Sequence, residues 1–409
     1  MPAGASPAAP APHAPSTPSP LVGGGHVPVL DAFRGLAILV VLVHNASYHP
    51  KGLHDSVPLK IWDVWTGAGW FGVQLFFVLS GLLITGILLD TKGRPGWLRA
   101  FYGRRVLRIF PLYYAALLVY WVVLPRLLGV PRLAESAGIP PWHYWLYVSN
   151  WPVYPAGVPA GDPTSLTHFW SLAVEEQFYL VWPFVVLALS PRRLAVLAVS
   201  LGIAAPLFRA WLHAGAFPED AANMMGYSWT VARMDALALG ALCAVALRSG
   251  TARELLVARG RWLAGVAAAL LVLMLLWRGG MHKSGPAVQV AGQSLAALLS
   301  AGVVLVLALP DTEPRGALRG WWVARALDRG WLRWLGRYSY GIYVVHVPLH
   351  RVGLQLVGER LAQGGGGTRL ALAVAYAAVV LAVSCLAALA TWHLIEAPFL
   401  RLKRHFAAR

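Results

Sequence analysis

Several polar side chains that could take part in catalysis occur inside apolar stretches of this sequence. The segment LDAFRGLAILVVLVHN carries Asp31 and Arg34 near its start and His44 near its end. On an α-helix, Arg34 and His44 would lie about 15 Å apart along the axis. Histidine suits general base catalysis near neutral pH, and arginine suits stabilisation of an oxyanion or of a donor group. The alternatives are an interfacial charge pair of Asp31 with Arg34 and a structural role for His44.

Three arginines cluster in the segment FYGRRVLRIFPLYY. Arg105 and Arg108 share one face of a helix because they are three residues apart, and Arg104 lies alongside. Guanidinium groups bind phosphate through paired hydrogen bonds, so the cluster suits the polyphosphate of a nucleotide-containing donor such as acyl-CoA. The alternative for each arginine is simple anchoring of the helix on the cytoplasmic side.

Two adjacent carboxylates, Glu175 and Glu176, interrupt the apolar segment THFWSLAVEEQFYLVWP. Neighbours on a helix point about 100° apart, so the two cannot share one partner. Ionisable residues inside a membrane span mark function by default. We expect one of them to lie in a water-filled cavity as an acid, a base or an orienting group. An interfacial pair in the headgroup zone is the alternative.

Other polar and small residues have simpler predicted roles. In GWFGVQLFFVLSGLLITG, Gly72, Gly81 and Gly86 favour close helix packing, and Ser80 is expected to bond to its own helix backbone. Arg233 and Asp235 are expected to form a structural ion pair inside the membrane. In the predicted ninth span, four residues lie at helical spacing: Tyr338, Tyr340, Tyr343 and His346. They either line a polar cavity or form an aromatic face.

The composition indicates which kind of fold must position these residues. Of 409 residues, 58% are hydrophobic and only 12% are charged, and the mean hydropathy is +0.59. Soluble domains carry about 25% charged residues, so the chain is predicted to be an all-α, polytopic integral membrane protein. The net charge of +17 does not indicate nucleic-acid binding, because basic residues alternate with apolar spans. Cys243 and Cys385 lie in apolar stretches and suggest neither a disulfide nor a metal site, and no metal is expected.

About ten transmembrane helices are predicted, each of about twenty residues. The predicted spans are 30–48, 70–90, 108–128, 168–189, 193–213, 228–248, 262–278, 288–309, 337–357 and 370–391. The aromatic stretch Trp142–Trp151 is short and is predicted to lie at the interface. With a cytoplasmic N-terminus, the inner loops and tail hold 22 Lys and Arg residues and the outer loops hold 9. The positive-inside rule therefore places both termini in the cytoplasm.

Three regions follow from this pattern. Residues 1–27, with seven prolines in the first twenty positions, are predicted to form a disordered cytoplasmic tail and not a signal peptide. Residues 28–395 form the transmembrane domain, and 396–409 form a basic cytoplasmic tail.

Five motifs in order make the chain resemble the acyltransferase-3 family of membrane O-acyltransferases. They are DAFRG with a downstream His, FGVQLFFVLSGLLIT, RRVLRIFPLYY, FWSLAVEEQFYLVWP and RYSYGIYVVHVPL, and they cover roughly residues 27–400. The resemblance implies ten transmembrane helices in the plasma (inner) membrane and a cytoplasmic acyl-CoA donor, with acetyl-CoA as the favoured form. It also implies an acceptor hydroxyl on a cell-envelope polysaccharide, a glycolipid or a glycosylated small molecule. No appended extracytoplasmic hydrolase-like domain is expected.

The resemblance also implies roles for individual residues. It predicts catalytic roles for Arg34, His44, Glu175 and Glu176, and donor binding by Arg104, Arg105 and Arg108. The family usually has ten residues between the Arg and the His of the first helix, whereas this chain has nine, so that Asn45 falls on the usual His position. His44 is still the predicted base, because a carboxamide cannot take up a proton near neutral pH.

The predicted mechanism is direct transfer. His44 would deprotonate the acceptor hydroxyl, a glutamate would orient His44 or bind sugar hydroxyls, and Arg34 would stabilise the oxyanion or the donor. A covalent acyl-histidine intermediate is an alternative. A transporter or flippase for a lipid-linked or sugar substrate is an alternative of another class, although the chain shows no internal repeat of the kind many transporters have. Hydrolysis of the thioester without an acceptor is a third.

Overall fold

Every regular element in the described part of the chain is a helix. The computed structural model describes residues 27–47, 57–123, 126, 140–151, 166–308, 326–361 and 366–406. In chain order, the helices of ten or more residues in these ranges are α1 (Pro28–Ala46), α2 (Val57–Gly67), α3 (Phe71–Thr91), α4 (Trp97–Leu118), α5 (Trp170–Ala188), α6 (Pro191–Trp211), α7 (Glu219–Ser228), α8 (Thr230–Ala246), α9 (Gly250–Arg278), α10 (Gln293–Leu307), α11 (Gly330–Leu361) and α12 (Gly366–Thr391). The predicted all-α class is confirmed for these ranges. Residues 1–26 of the predicted tail lie outside them.

Eight helical segments of the described ranges are long and apolar enough to cross a membrane. Two further predicted spans also fall in helices: 262–278 is the apolar end of α9, and 337–357 lies inside the 32-residue α11. The helical architecture of a polytopic membrane protein is therefore confirmed, while a total of ten crossings stays a prediction. The aromatic stretch forms a helix of only one turn, Trp142–Trp145, which is too short to span a bilayer.

Helix α4 begins at Trp97, well before the predicted start of its span at 108. The residue before it, Gly96, has a φ of 71°, which glycine adopts without a Cβ clash. The arginines predicted to bind the donor therefore lie inside a continuous helix. Arg105 and Arg108 share one of its faces, as the spacing predicted.

Reciprocal glycine contacts hold α1 against α11. A Cβ added to Gly35 would lie 1.9 Å from the carbonyl oxygen of Leu332, and one added to Gly336 would lie 1.8 Å from that of Asp31. Only hydrogen fits in such spaces, so the two backbones approach closely, as small residues allow in membrane helix pairs. Because Arg34 is next to Gly35, this contact fixes its depth in the bundle.

Helices α3 and α8 are also packed through reciprocal glycine contacts. A Cβ on Gly81 would lie 2.0 Å from the carbonyl oxygen of Leu237, and one on Gly240 would lie 2.0 Å from that of Val78. Gly72 similarly faces the backbone of α1. The predicted packing roles of Gly72 and Gly81 are confirmed, and the contacts bring α3 to the centre of the bundle.

Candidate active site

A polar cavity between α1, α3, α4, α5 and α11 collects most of the predicted site residues. Its charged lining consists of Arg34, Arg105, Arg108, Glu175 and Glu176. We call it the arginine cavity; its volume is about 110 Å³. Three guanidinium groups and two carboxylates thus meet inside an apolar helical bundle, and the lining carries a net positive formal charge.

Glu175 is held by a chain of hydroxyl groups. The Ser80 hydroxyl donates to Oε1 of Glu175 at 2.6 Å, and the Tyr179 hydroxyl donates to Oγ of Ser80 at 2.9 Å. The prediction that Ser80 bonds to its own helix backbone is therefore wrong. Ser80 lies on the side of α3 that faces α5, where a buried carboxylate is a stronger acceptor than a backbone carbonyl already used by the helix. The chain orients Glu175 into the cavity.

Glu176 has different surroundings, as the angle between neighbouring helix positions predicts. Its Oε1 atom is buried and accepts no hydrogen bond from the residues that the structure describes. Glu176 also lines the arginine cavity, so its carboxylate lies beside the space that a bound molecule would occupy. Buried oxygens without a partner are uncommon and mark a place where a ligand or water completes the site.

The two arginines on one face of α4 reach the cavity in different ways. The Arg105 guanidinium lies 4.4 Å from the ring centroid of Tyr179, within cation–π range. Arg108 lies 3.4 Å from a carboxylate oxygen of Glu396 and 5.6 Å from the ring centroid of Trp392. Each guanidinium thus packs against an aromatic ring, and that of Arg108 also faces a carboxylate.

Arg104 does not join them. Its side chain is on the exposed side of α4, where Nε donates to the carbonyl oxygen of Phe406 at 2.8 Å. The ring of Phe406 also packs on Gly103, where an added Cβ would lie 2.1 Å from it. The structure therefore brings Arg105 and Arg108 into the cavity and places Arg104 at the contact with the C-terminal segment.

His44 lies in a second polar cavity at the opposite end of α1. The polar lining of this histidine cavity includes His44, Asn45, Thr167, His168, Ser228, Lys283 and Arg351. Nδ1 of His44 lies 2.5 Å from the carbonyl oxygen of Thr66, the penultimate residue of α2. A carbonyl only accepts, so Nδ1 carries the proton and Nε2 is the basic nitrogen of the neutral ring. The backbone carbonyl of Thr66 thus orients the His44 ring.

Asn45 also contacts a histidine. Its Nδ2 lies 3.2 Å from Nε2 of His346, whose Nδ1 donates to the carbonyl oxygen of Tyr343 at 2.7 Å. The His346 ring packs edge-on against His168, with ring centroids 5.2 Å apart. Asn45 and His346 therefore form a hydrogen-bonded pair beside His44. Asn45 occupies the helix position where the family usually has its histidine.

The two polar cavities are contiguous. Val73 and Tyr343 line both of them. The Tyr343 hydroxyl lies 2.5 Å from Oγ of Ser171 and donates to the carbonyl oxygen of His168 at 2.9 Å. A single layer of side chains therefore separates the arginine cavity from the histidine cavity.

The predicted ion pair of Arg233 and Asp235 is wrong. Asp235 instead accepts from Arg209 at 2.7 Å and from Ser294 at 2.6 Å. Residues two apart on a helix point to nearly opposite sides, so Arg233 and Asp235 cannot face one another. Arg233 is fully buried and lies against the ring of Trp170, 5.2 Å from its centroid.

Sequence reasoning missed several residues of these cavities. His168 and Ser171 begin the same segment as the glutamates, and Lys283 follows an apolar helix. A polar residue at the end of a span has an ordinary interfacial explanation, so only its three-dimensional neighbours reveal it. Within the described ranges, no group of three His, Cys, Asp or Glu side chains is placed to hold a metal ion.

A known family model covers every described residue that lines these two cavities. The family model described as an acyltransferase domain matches residues 27–389. The chain belongs to that family, the acyltransferase-3 family.

Individual relatives agree with this assignment. The chain is 27% identical over 336 residues to the peptidoglycan O-acetyltransferase OatA of Listeria monocytogenes, with 79% of this chain and 49% of that protein covered. It is 29% identical over 352 residues to the protein YrhL of Bacillus subtilis, covering 79% and 48%. The O-acetyltransferase OatA of Staphylococcus aureus is 32% identical over 169 residues, covering 39% and 25%. The chain spans about half the length of the first two relatives. No solved structure matches it significantly.

Proposed function

We propose that the protein transfers an acyl group, with acetyl as the favoured form, from acyl-CoA to a hydroxyl of a carbohydrate acceptor. The acceptor would be a cell-envelope polysaccharide, a glycolipid or a glycosylated small molecule. The observation that carries the proposal is the contiguity of the arginine and histidine cavities through Val73 and Tyr343. Family membership supports it, as does the Listeria relative named for peptidoglycan O-acetylation.

The arginine cavity is the proposed donor site. Arg34, Arg105 and Arg108 would bind the phosphates of the donor, because guanidinium matches phosphate geometry in a bidentate way. The unbonded Oε1 of Glu176 would accept from an N–H group of the donor. The pantetheine arm would cross the layer of side chains at Val73 and Tyr343 and present the thioester to the histidine cavity. Arg34 therefore acts in donor binding in this proposal, because it lines a different cavity from His44.

The chemical step takes place at His44. Nε2 accepts the proton of the acceptor hydroxyl while its oxygen attacks the thioester carbonyl carbon. A C–O bond forms and the C–S bond breaks, and the proton on Nε2 passes to the departing thiolate. The Thr66 carbonyl stabilises the imidazolium that forms in between, because it accepts from Nδ1 throughout.

A third cavity gives the acyl group a place beside the base. It has a volume of about 790 Å³ and a lining that is almost wholly apolar, formed by α1, α2 and α12. His44 and Gly69 line both this cavity and the histidine cavity. The hydrocarbon part of the acyl group would lie there while its carbonyl carbon faces Nε2.

The proposed orientation has the arginine cavity open to the cytoplasm, where acyl-CoA is made. The excess of Lys and Arg in the loops at that end supports it. The histidine cavity would then open to the opposite side of the plasma membrane, where envelope glycans are found.

Acyl transfer is tested with the full chain reconstituted in vesicles. Labelled acetyl-CoA is supplied on one side and a muramyl glycan on the other, and label in the glycan is measured by mass spectrometry. Transfer predicts release of CoA that depends on added glycan and label in an ester. CoA release without glycan would indicate hydrolysis, and glycan movement without CoA release would indicate transport.

A further inference from the structure

The described lining of the histidine cavity carries basic side chains. Lys283 and Arg351 line it together with His44 and His168, and no carboxylate of the described residues belongs to its lining. The arginine cavity differs, because two glutamates there offset part of the charge. A basic side chain in such a cavity can bind an anionic group of a bound molecule.

A single ring links two of the cations at this site. The Tyr227 ring centroid lies 5.3 Å from Nζ of Lys283 and 5.0 Å from the guanidinium carbon of Arg233. Tyr227 itself lines the histidine cavity. Neither Lys283 nor Arg233 forms an ion pair with a carboxylate from the described parts of the chain. The aromatic ring therefore supplies much of the stabilisation that a counter-ion would normally give.

Arg233 is a buried cation without a counter-ion among the described residues. It is fully buried, and Nε and both terminal nitrogens make no hydrogen bond to described residues. Besides Tyr227, the rings of Trp170 and Phe77 lie 5.2 and 5.6 Å from its guanidinium carbon. A buried charge without a counter-ion is destabilising, and ionisable residues inside a membrane span mark function by default, so Arg233 indicates a functional use. Its field adds to that of Lys283 on the other side of Tyr227.

We infer that the histidine cavity selects an acceptor that carries an anionic group, a carboxylate or a phosphate, and that Lys283 binds this group. The inference rests on the proposed function, since it names the class of acceptor for the same site. Lys283 is half-buried and has a flexible stem, so it can follow the anion of a sugar whose hydroxyl lies at His44. A neutral acceptor would desolvate Lys283 and give it no counter-ion.

The test uses a matched pair of probes that differ in one charge. They are the disaccharide of N-acetylglucosamine and N-acetylmuramic acid, and its carboxyl methyl ester. Binding to the full chain in nanodiscs is measured without acyl-CoA, and transfer is measured with acetyl-CoA. We expect the acid to bind about tenfold or more tightly than the ester, and to have a correspondingly lower KM. A phosphate on the methyl ester should restore tight binding if charge alone matters, and should not if carboxylate geometry is required.

Three lysine variants are tested with the same probes. Lys283→Met keeps the length of the side chain without its charge, and should bring the acid and the ester to equal affinity. Lys283→Arg should restore the preference for the anion. Lys60→Met removes an exposed lysine of α2 outside the cavity and should change neither probe.

The inference is overturned if neither anionic probe binds better than the ester, or if Lys283→Met weakens acid and ester equally. Its failure is distinguishable from failure of the proposed function. Equal acyl transfer to acid and ester would overturn the inference and leave the transferase intact. Charge-dependent binding through Lys283 without any transfer would support the inference and overturn the transferase.

Discussion

His44 donates through Nδ1 to the carbonyl oxygen of Thr66 at 2.5 Å, across the interface of α1 and α2. This contact selects one tautomer and helps to fix the ring. Gly69 permits it, because a Cβ there would lie 2.1 Å from Cβ of His44. The histidine is thus held tightly at the point where the histidine cavity and the apolar cavity meet.

Substitution of His44 should abolish transfer. We expect His44→Ala to lower turnover by about 10²- to 10⁴-fold, the usual contribution of a general base. Asn45→Ala should cost about tenfold or less, because it removes a neutral hydrogen bond to His346 and no proton acceptor. Turnover is measured on protein quantified by fluorescence-detected size exclusion. Near-normal turnover of His44→Ala would move the base to another residue, with His346 as the first candidate.

The hydroxyl chain to Glu175 gives a second prediction. Ser80→Ala leaves the buried carboxylate without the donor at 2.6 Å and should lower transfer by about tenfold or more, since such a loss costs about 1–3 kcal/mol. Ser300→Ala is the matched control, because the hydroxyl of Ser300 donates only to the backbone carbonyl of Ala296 in its own helix. The steady-state transfer rates of both variants are compared with that of the wild-type protein. Equal effects would mean that the contact of Ser80 with Glu175 has no catalytic role.

The fold was predictable from the sequence because the bilayer imposes a simple rule. Long apolar segments must be helices, and their positions follow from hydropathy. The apolar span of α4 was predicted to start at residue 108, because the arginines before it lower the hydropathy of a helix that begins at Trp97. The sequence predicts that Gly81 packs closely against another helix. It does not show that the partner is the backbone of Leu237, because that depends on which helices are neighbours.

The site was predictable in part. Arg105 and Arg108 share a face by spacing alone, and the structure brings both to a cavity with the glutamates. The partner of Asp235 was not predictable, because it depends on which helices become neighbours. Nearness in sequence suggested Arg233 as the partner of Asp235, whereas the actual partner is Arg209 from α6. Long-range pairs of this kind require the packing of the whole bundle.

The glycine contacts should control stability. Gly81→Ala puts a methyl group 2.0 Å from the carbonyl oxygen of Leu237, and overpacking of this kind costs about 1–3 kcal/mol. Gly202→Ala, in α6, meets nothing within 4 Å and should be neutral or stabilising by up to about 1 kcal/mol. Thermal unfolding midpoints in detergent should therefore fall for the first variant and hold or rise for the second. A midpoint of Gly81→Ala at or above the wild-type value would contradict the close α3–α8 contact.

The orientation in the membrane is a prediction from charge. Both termini should be cytoplasmic, because the inner loops and tail hold 22 Lys and Arg residues and the outer loops hold 9. A green fluorescent protein fused after Arg409 should fluoresce, and alkaline phosphatase fused there should be inactive. The opposite pattern would overturn both the ten-span topology and the proposed side of donor entry.

The arginines of α4 allow donor binding to be separated from membrane anchoring. All three would anchor the helix equally, but only Arg105 and Arg108 line the arginine cavity, while Arg104 bonds to the carbonyl oxygen of Phe406. A charge-assisted hydrogen bond contributes about 1.5–3 kcal/mol, so Arg105→Ala and Arg108→Ala should each raise the KM for acyl-CoA by about tenfold or more. The KM for the acceptor should change little, because the acceptor is expected in the histidine cavity. Arg104→Ala should leave the donor KM near the wild-type value, which makes it the control for loss of positive charge. If all three substitutions leave the donor KM unchanged, the cluster serves topology alone. If Arg104→Ala raises it as much as the others, the donor binds on the exposed side of α4 and not in the cavity.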